Sequence, residues 1–329
     1  GCRCGARGSR TLDVMPGSGH TGLVMANKRK IGLALGSGAS RGWSHVGIID
    51  ALVAEGIEPD IVCGTSVGAM VGVSYLTGNL DNLKRWVLKS SRSDVYRFFD
   101  IKFTQSGFVN VGRLDRFIHD YVVDKDVDIG KLPKPCIAVA TCLNTGQEIW
   151  SREGKAARWV RASMSLPGLF PPVREDERWL VDGGLVNPVP VSACRALGAE
   201  IVIAVNLNSD IVGKGLRQDN ASTAEDDDGW LHSLKQQAKE VSGSLFNSAD
   251  KEAAPPGLLG VVSSSINIFQ DRITRSRMAG DPADVVISPK LRDVGLLEFG
   301  KAAEAIAVGE ECVDRVLPEI KRLLEPMEG

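Results

Sequence analysis

The chain has 329 residues, of which 43% are hydrophobic, a length that fits one large domain or two small ones. Its formal net charge of −2 gives no electrostatic basis for nucleic-acid binding, and no run of 18 apolar residues is present that could cross a bilayer as a helix. The 36 glycines and the low aromatic content of 5% favour an α/β fold with tight turns.

Residues 1–29 are predicted to form a disordered leader, because they lack the apolar segment of a signal peptide and carry five basic residues against one acid. A basic arm attracted to a membrane surface is the alternative. The cysteine count of seven is odd, and the spacing matches neither a disulfide framework nor a structural zinc site. We therefore expect reduced thiols and a cytoplasmic protein.

The first ordered segments repeat a strand–turn–helix pattern. An apolar run at 31–35 predicts a buried strand, which a glycine-rich turn at 36–42 joins to a helix ending near Gly56. A strand at 60–63, a turn at 64–68 and a helix of small residues ending near Gly78 follow. This series predicts a three-layer α/β/α fold with a mainly parallel central sheet, in one domain spanning 30–329.

Later segments extend this domain. Strands are predicted at 137–141, 201–206 and 284–289, a polar loop at 209–229, and a C-terminal helix over the last 35 residues. Apolar residues also step by three and four along a predicted helix, at Leu259, Val262, Ile266, Phe269 and Ile273. Core packing is the simpler interpretation of this strip, and a membrane-facing lid is the alternative.

The turn at 64–68 has the sequence G-T-S-V-G, with a strand before it and a helix after it. A serine at such a sharp turn needs small neighbours, and its hydroxyl lies at the positive end of a helix dipole. Ser66 is therefore a candidate nucleophile, in an elbow formed with Gly64, Thr65, Val67 and Gly68. An ordinary glycine-rich turn is the alternative.

The turn at 36–42, G-S-G-A-S-R-G, is a candidate oxyanion site. Small residues let backbone N–H groups approach a developing negative charge, and Gly38 and Ala39 occupy suitable positions. A dinucleotide-binding loop is disfavoured, because Arg41 occupies its sixth position and Gly42 falls one place late.

A third motif, W-L-V-D-G-G, ends a short predicted strand at Asp182, after which Gly183 and Gly184 turn the chain away. An aspartate in this position can act in chemistry or simply cap the turn.

The order of these three motifs resembles the patatin-like phospholipase family. The stretches G-W-S-H-V-G from residue 42 and R-A-S-M-S-L-P-G-L-F-P-P from residue 161 are also similar to that family, as is the segment 284–289. The resemblance extends from residue 30 to the C-terminal helix and is weakest between 207 and 280.

The resemblance implies a role for each matching residue. Ser66 would attack an ester carbonyl, and Asp182 would be the only base. Gly38 and Ala39 would donate N–H groups to the oxyanion, with Ser37 and Gly42 completing the loop and Arg41 facing an anionic head group. Ser37 departs from the family pattern, since many members have glycine there.

The implied function is hydrolysis of lipid or phospholipid acyl esters without a metal or organic cofactor, with transient contact at the inner membrane surface. Transacylation is a close variant, and a non-catalytic regulator that binds lipid or protein is the alternative from another class. Histidine is the competing base, but His20 lies in the leader, and His45, His119 and His232 stand in no catalytic motif. A Ser–Asp dyad is therefore favoured.

Overall fold

The computed structural model describes residues 1, 29–90, 111–210, 258–295 and 298–325, and Arg29–Glu325 forms one compact unit. Only the first and last residues of the predicted leader, Gly1 and Arg29, lie within the described residues, and so do only the first two residues of the predicted loop at 209–229. Both stay predictions.

The described residues contain an eight-stranded sheet. Its strands are β1 (Ile31–Leu35), β2 (Ile61–Thr65), β3 (Cys136–Cys142), β4 (Glu148–Trp150), β5 (Val173–Glu175), β6 (Arg178–Asp182), β7 (Ile201–Val205) and β8 (Val285–Ile287). They run in the order β5-β6-β3-β2-β1-β7-β8, with β4 also paired to β3. Five neighbouring strands are parallel: β3, β2, β1, β7 and β8. Strands β4 and β6 each pair antiparallel with β3, and β5 pairs antiparallel with β6.

Helices cover both faces of the sheet. They are α1 (Ser44–Ala54), α2 (Val67–Leu76), α3 (Leu80–Lys89), α4 (Val111–Tyr121), α5 (Ala156–Ser163), α6 (Val191–Ala196), α7 (Leu258–Gly280) and α8 (Ala302–Leu324). The predicted fold class is confirmed, with the refinement that the sheet is mixed. The antiparallel end was not predicted, because β4 and β5 are only three residues long and show no clear periodicity.

Two apolar clusters form the core, one on each face of the sheet. Leu33 and Leu35 of β1 belong to the larger cluster, beneath α1, α2 and α8, whereas Ala34 belongs to the smaller one beside α6. Because β1 is buried on both faces, its sequence is an uninterrupted apolar run.

The sheet topology brings remote segments to one edge. Since β1 and β2 are parallel, with Leu35 opposite Gly64, the turns that follow them lie side by side. Thr65 of β2 pairs with Val139 of β3, and the next residue of β3, Ala140, pairs with Asp182 of β6. Ser66 and Asp182 therefore meet at this edge although they lie far apart in sequence.

Helix α7 departs from the expected amphipathic pattern. Ile266 is buried, whereas Val262 and Phe269 of the predicted strip are exposed, and the side chain of Leu259 lies outside the described residues. The buried positions Gln270, Asp271 and Thr274 are polar. Core packing thus accounts for only part of the strip. Within the described residues, no helix is both long and apolar enough to cross a membrane.

Candidate active site

Ser66 is held in a strained elbow between β2 and α2. Its φ of 58° and ψ of −124° lie outside the regions that residues with a side chain normally adopt. Its backbone N–H donates to the hydroxyl of Ser163 (2.8 Å), which in turn donates to the carbonyl of Val139 (2.6 Å). These bonds tie the elbow to α5 and β3, which helps to hold the serine in this conformation.

The glycines around Ser66 permit three close approaches. A Cβ at Gly64 would lie 2.4 Å from the carbonyl oxygen of Gly68, and one at Gly68 would lie 2.2 Å from the carbonyl oxygen of Leu35. A Cβ at Gly42 would lie 2.3 Å from the side chain of Val67. Side chains are therefore excluded at all three positions, and the glycine-rich loop packs directly on the elbow.

Ser66 and Asp182 form a direct hydrogen bond. The hydroxyl of Ser66 donates to Oδ2 of Asp182 across 2.6 Å, while Oδ1 of Asp182 accepts from the backbone N–H of Gly184 (2.7 Å). The Asp182 backbone is also fixed, because its N–H donates to the Ser165 carbonyl (2.9 Å) and its carbonyl accepts from the Thr141 hydroxyl (2.8 Å). Only one carboxylate oxygen thus faces the serine, in a fixed orientation.

Asp182 is 1% exposed, and burial raises its pKa to about 6, while the hydrogen bonds from Ser66 and Gly184 oppose that rise. A carboxylate with this pKa is ionised at neutral pH and is a stronger base than an exposed aspartate.

The glycine-rich loop begins a short 3₁₀ turn, Ala39–Trp43. Ala39 has a positive φ of 48°, and the backbone N–H groups of Gly38 and Ala39 have no hydrogen-bond partner within the described residues. The N–H of Ser37 is used differently, since it donates to the Pro188 carbonyl (2.8 Å). Two of the expected donors therefore remain open, whereas Ser37 anchors the loop.

Arg41 is placed differently from the head-group role expected from its sequence position. Its side chain is 1% exposed, and it donates to the Gly38 carbonyl (3.2 Å) and to Oδ1 of Asn267 on α7 (2.9 Å). Burial lowers its pKa to about 10, against the opposing charge of Asp210. Arg41 thus links the loop to α7, and this buried position does not present it to a head group.

No histidine in the described part of the chain bonds to Ser66 or Asp182. His45 is fully buried, and its Nε2 donates to the Gly36 carbonyl (2.8 Å). Burial lowers its pKa to about 4, so it is neutral at physiological pH. His119 lies on α4 and lines a different cavity, while His20 and His232 lie outside the described residues.

A small apolar cleft of about 30 Å³ opens beside Ser66. Its lining comes from the loop, the elbow and the segment after α5: Ala39, Trp43, Ser66, Val67, Met70, Met164, Leu166, Leu169 and Phe170. A volume of this size has room for only a few heavy atoms, so it suits the first part of an acyl chain. Among the described residues, no group of three or more His, Cys, Asp or Glu side chains could hold a metal ion, and metal independence stays a prediction.

Several supporting residues were not assigned a role from the sequence. Ser163 and Ser165 stand in the R-A-S-M-S stretch, which marked the segment but not the bonds that the hydroxyls make. Asn208 donates to the Ser37 carbonyl (3.3 Å) and to Oε1 of Gln270 (3.1 Å), which joins the loop to α7. No sequence motif marked Asn208 or Gln270.

Comparison with known proteins shows which family the chain resembles. Residues 33–195 match the family described as patatin-like phospholipase. The chain is 29% identical to an uncharacterized NTE family protein of Mycobacterium tuberculosis, covering 92% of this chain and 95% of that protein. It is 30% identical to Lysophospholipase NTE1 of Pyricularia oryzae, covering 85% of this chain and 18% of that protein.

Human patatin-like phospholipase domain-containing protein 6 is 32% identical, with 54% of this chain and 13% of that protein covered. A solved structure, VipD from Legionella pneumophila, aligns with 90% of this chain and 77% of that chain at 12% identity and a TM-score of 0.35. The chain thus spans nearly all of the mycobacterial relative and less than a fifth of the fungal and human ones.

Proposed function

Because this chain carries the domain of the patatin-like phospholipase family at residues 33–195, we propose that it hydrolyses acyl esters of lipids through a Ser66–Asp182 dyad. The activity is of the phospholipase A, lysophospholipase or carboxylesterase type. The observation that supports it most directly is the 2.6 Å hydrogen bond from Ser66 to Asp182 beside an apolar cleft.

Acylation begins when Oγ of Ser66 attacks the ester carbonyl carbon and its proton passes to Oδ2 of Asp182. The carbonyl π electrons move to the oxygen, and the resulting oxyanion accepts hydrogen bonds from the N–H groups of Gly38 and Ala39. Loss of one such donor typically costs about 3 kcal/mol of transition-state stabilisation. The tetrahedral intermediate then collapses, the C–O bond to the alcohol breaks, and Asp182 gives the proton to the departing oxygen.

Deacylation repeats the sequence with water. Asp182 accepts a proton from the water molecule as its oxygen attacks the acyl-enzyme carbonyl, and the same two N–H groups stabilise the second oxyanion. Collapse breaks the bond to Oγ of Ser66, which recovers its proton from Asp182. The products are a fatty acid and an alcohol, which is a lysophospholipid or glycerophospho compound when the substrate is a phospholipid.

The experiment is hydrolysis of a short-chain chromogenic ester by the wild type and by Ser66→Ala. We expect turnover to fall to the background level, because Ser66 is the one hydroxyl-bearing or thiol-bearing residue among the described residues that line the cleft. We also expect a fluorophosphonate to label Ser66 covalently. Ser90→Ala is the matched control, since the hydroxyl of Ser90 donates to the Trp86 carbonyl (2.8 Å) away from the site. Labelling of another serine, or full activity in Ser66→Ala, contradicts the assignment.

A further inference from the structure

A second cavity, of about 460 Å³, is larger than the apolar cleft and has no lining residue in common with it. It is lined by residues of α4, α5 and the segment leading into β5: Asp115, Ile118, His119, Lys125, Lys155, Ala157, Arg158, Arg161, Pro171, Pro172, Val173 and Arg174. Consecutive stretches of one segment line the two cavities, since Leu166, Leu169 and Phe170 line the cleft and 171–174 line this cavity. We call it the cationic cavity.

Basic side chains dominate the lining, with five lysines and arginines against one acid, Asp115. Three of the bases have acidic partners beyond the lining. Lys155 lies 3.3 Å from Asp126, Arg174 lies 3.6 Å from Glu177, and Arg158 pairs with Glu175. When these three acids are counted together with Asp115, the cavity has five basic and four acidic side chains. The Lys155 and Arg174 pairs are solvent-exposed, and such pairs contribute little.

Arg161 is the buried cation of this cavity. It is 5% exposed, and its guanidinium donates to the Ser165 hydroxyl (2.7 Å) and the Pro171 carbonyl (3.3 Å). Its Nε has no hydrogen-bond partner among the described residues, although an Asp115 carboxylate oxygen lies 3.4 Å away. The buried guanidinium is thus balanced by one carboxylate whose side chain is itself 55% exposed, and solvent weakens the pairing from that side.

Backbone polarity adds to the positive charge. Helix α5 begins at Ala156, no side chain caps its N-terminus, and its first turn contains no acid. Lys155, Ala157 and Arg158 line the cavity at this end of the helix. The positive end of the helix dipole therefore acts in the same direction as the side chains.

We propose that the cationic cavity binds a phosphate group. A phosphate ester has several acceptor oxygens around one centre, which matches cations converging from three segments, and guanidinium groups bind such oxygens in pairs. The volume has room for a phosphate with a glycerol moiety. The phosphate belongs either to the head group of the lipid substrate, a source that rests on the proposed function, or to a separate soluble phosphate compound.

The link to the catalytic groups is short. Arg161 bonds to the hydroxyl of Ser165, and the carbonyl of Ser165 accepts from the backbone N–H of Asp182. The Arg161 guanidinium also lies 5.6 Å from the ring centre of Phe170, which lines the cleft. A phosphate in the cationic cavity would thus lie across a single chain segment from the acyl cleft.

The first arm measures binding by isothermal titration calorimetry on the full chain, with inorganic phosphate and sn-glycerol 3-phosphate as probes. The variant is Lys125→Gln/Lys155→Gln, which changes two exposed side chains and leaves the buried Arg161 in place. We expect the variant to raise the Kd of both probes about fivefold to tenfold, with an unchanged thermal melting temperature. Lys134→Gln is the matched control, since Lys134 pairs with Glu58 at the amino end of β3.

The second arm identifies the source of the phosphate by comparing kcat/KM for lysophosphatidic acid with kcat/KM for a neutral monoacylglycerol. A roughly tenfold fall in that ratio in the double variant, and no fall in Lys134→Gln, assigns the cavity to the lipid head group. An unchanged ratio with weakened probe binding assigns it to a soluble phosphate compound.

The proposal is overturned if the wild type binds neither probe saturably, or if the double variant binds both as tightly as the wild type does. If the protein is not an ester hydrolase, the results differ from those that overturn phosphate binding. In that case the neutral ester is not hydrolysed by any form of the protein, while the calorimetric arm still reports on the cavity.

Discussion

At the scale of single residues, the surroundings of Asp182 determine what the dyad can do. The carboxylate has no cationic partner among the hydrogen bonds and ion pairs of the described residues, and burial raises its pKa. A partner such as arginine would hold the pKa low and weaken the base. The proposed acyl-enzyme mechanism therefore depends on the isolation of Asp182 as well as on its distance from Ser66.

The first prediction concerns pH. Asp182 must be ionised to accept the serine proton, so kcat/KM is expected to rise with pH through about 6 and then reach a plateau. The contribution of Asp182 to folding stability changes with pH in the opposite direction to kcat/KM. Because the folded-state pKa is raised, the stability that Asp182 contributes is present below its unfolded pKa and is lost as pH rises through about 6. A pH–rate profile with a neutral ester checks the rise in kcat/KM, and a kcat/KM that is flat between pH 4 and 8 would contradict the prediction.

The second prediction concerns the identity of the base. Asp182→Asn keeps the shape and the acceptor for the Gly184 N–H but cannot take up a proton, so turnover is expected to fall nearly as far as in Ser66→Ala. The double variant should be no worse than either single variant, because the two residues act as one unit. Steady-state kinetics of the three variants provides the measurement.

His45→Gln is the comparison variant for this experiment, since His45 bonds to the Gly36 carbonyl and not to Ser66. We expect it to retain substantial turnover, provided that circular dichroism shows a folded protein. Loss of turnover in folded His45→Gln, together with an active Asp182→Asn, would indicate a histidine-based triad.

At the scale of secondary-structure elements, α7 has two faces with different surroundings. Its inner face bonds to the glycine-rich loop, through Asn267 to Arg41 and through Gln270 to Asn208. Its outer face exposes apolar side chains, with Phe269 60% exposed and Ile268 47% exposed. Exposed apolar side chains on a helix beside a lipid-hydrolase site are suited to a bilayer surface.

The third prediction follows from this outer face. Phe269→Ser/Ile268→Ser is expected to weaken binding to phosphatidylcholine–phosphatidylglycerol vesicles by at least about tenfold, because a tenfold change needs about 1.4 kcal/mol and burial of one large apolar side chain is worth about 2 kcal/mol. Vesicle co-sedimentation measures the change. Leu88→Ser is the matched control, since Leu88 is 48% exposed on α3, a different element. Equal losses of vesicle binding in the α7 double variant and in Leu88→Ser would show that general surface hydrophobicity causes the effect. An unchanged partition coefficient in the α7 double variant would exclude α7 as the membrane-binding element.

At the scale of the whole molecule, the first and last helices of the described domain are packed backbone against backbone. A Cβ at Gly47 of α1 would lie 2.1 Å from the Ile306 carbonyl oxygen, and one at Gly309 of α8 would lie 2.2 Å from the Ser44 carbonyl oxygen. Two glycines therefore let α8 approach the helix that directly follows the glycine-rich loop. The C-terminal helix thus supports the element from which the candidate oxyanion site extends.

The fourth prediction tests this packing. Gly309→Ala should force α1 and α8 apart and lower the free energy of unfolding by about 1–3 kcal/mol, the usual range for overpacking. Gly280→Ala is the matched control, because a Cβ there meets no atom within 4 Å. Urea denaturation followed by circular dichroism compares the two variants. Equal free energies of unfolding for Gly309→Ala and Gly280→Ala would contradict the prediction, because α1 and α8 could then move apart without cost.

The sequence by itself determined the fold class and the position of the elbow. Both follow from local rules, since apolar runs such as 31–35 form buried strands and close backbone contacts, as at Gly64 and Gly68, exclude side chains. The expectation that Ser66 and Asp182 act together came from the family resemblance and not from local pattern.

Only the tertiary structure decided which groups meet. Ser66 and Asp182 are 116 residues apart, and their contact depends on the pairing of β2, β3 and β6. The bond from Ser37 to Pro188 and the burial of Arg41 against α7 likewise depend on segments remote in sequence. A motif fixes a residue type and its local backbone, but hydrogen-bond partners and desolvation are set by whichever distant segment packs against it.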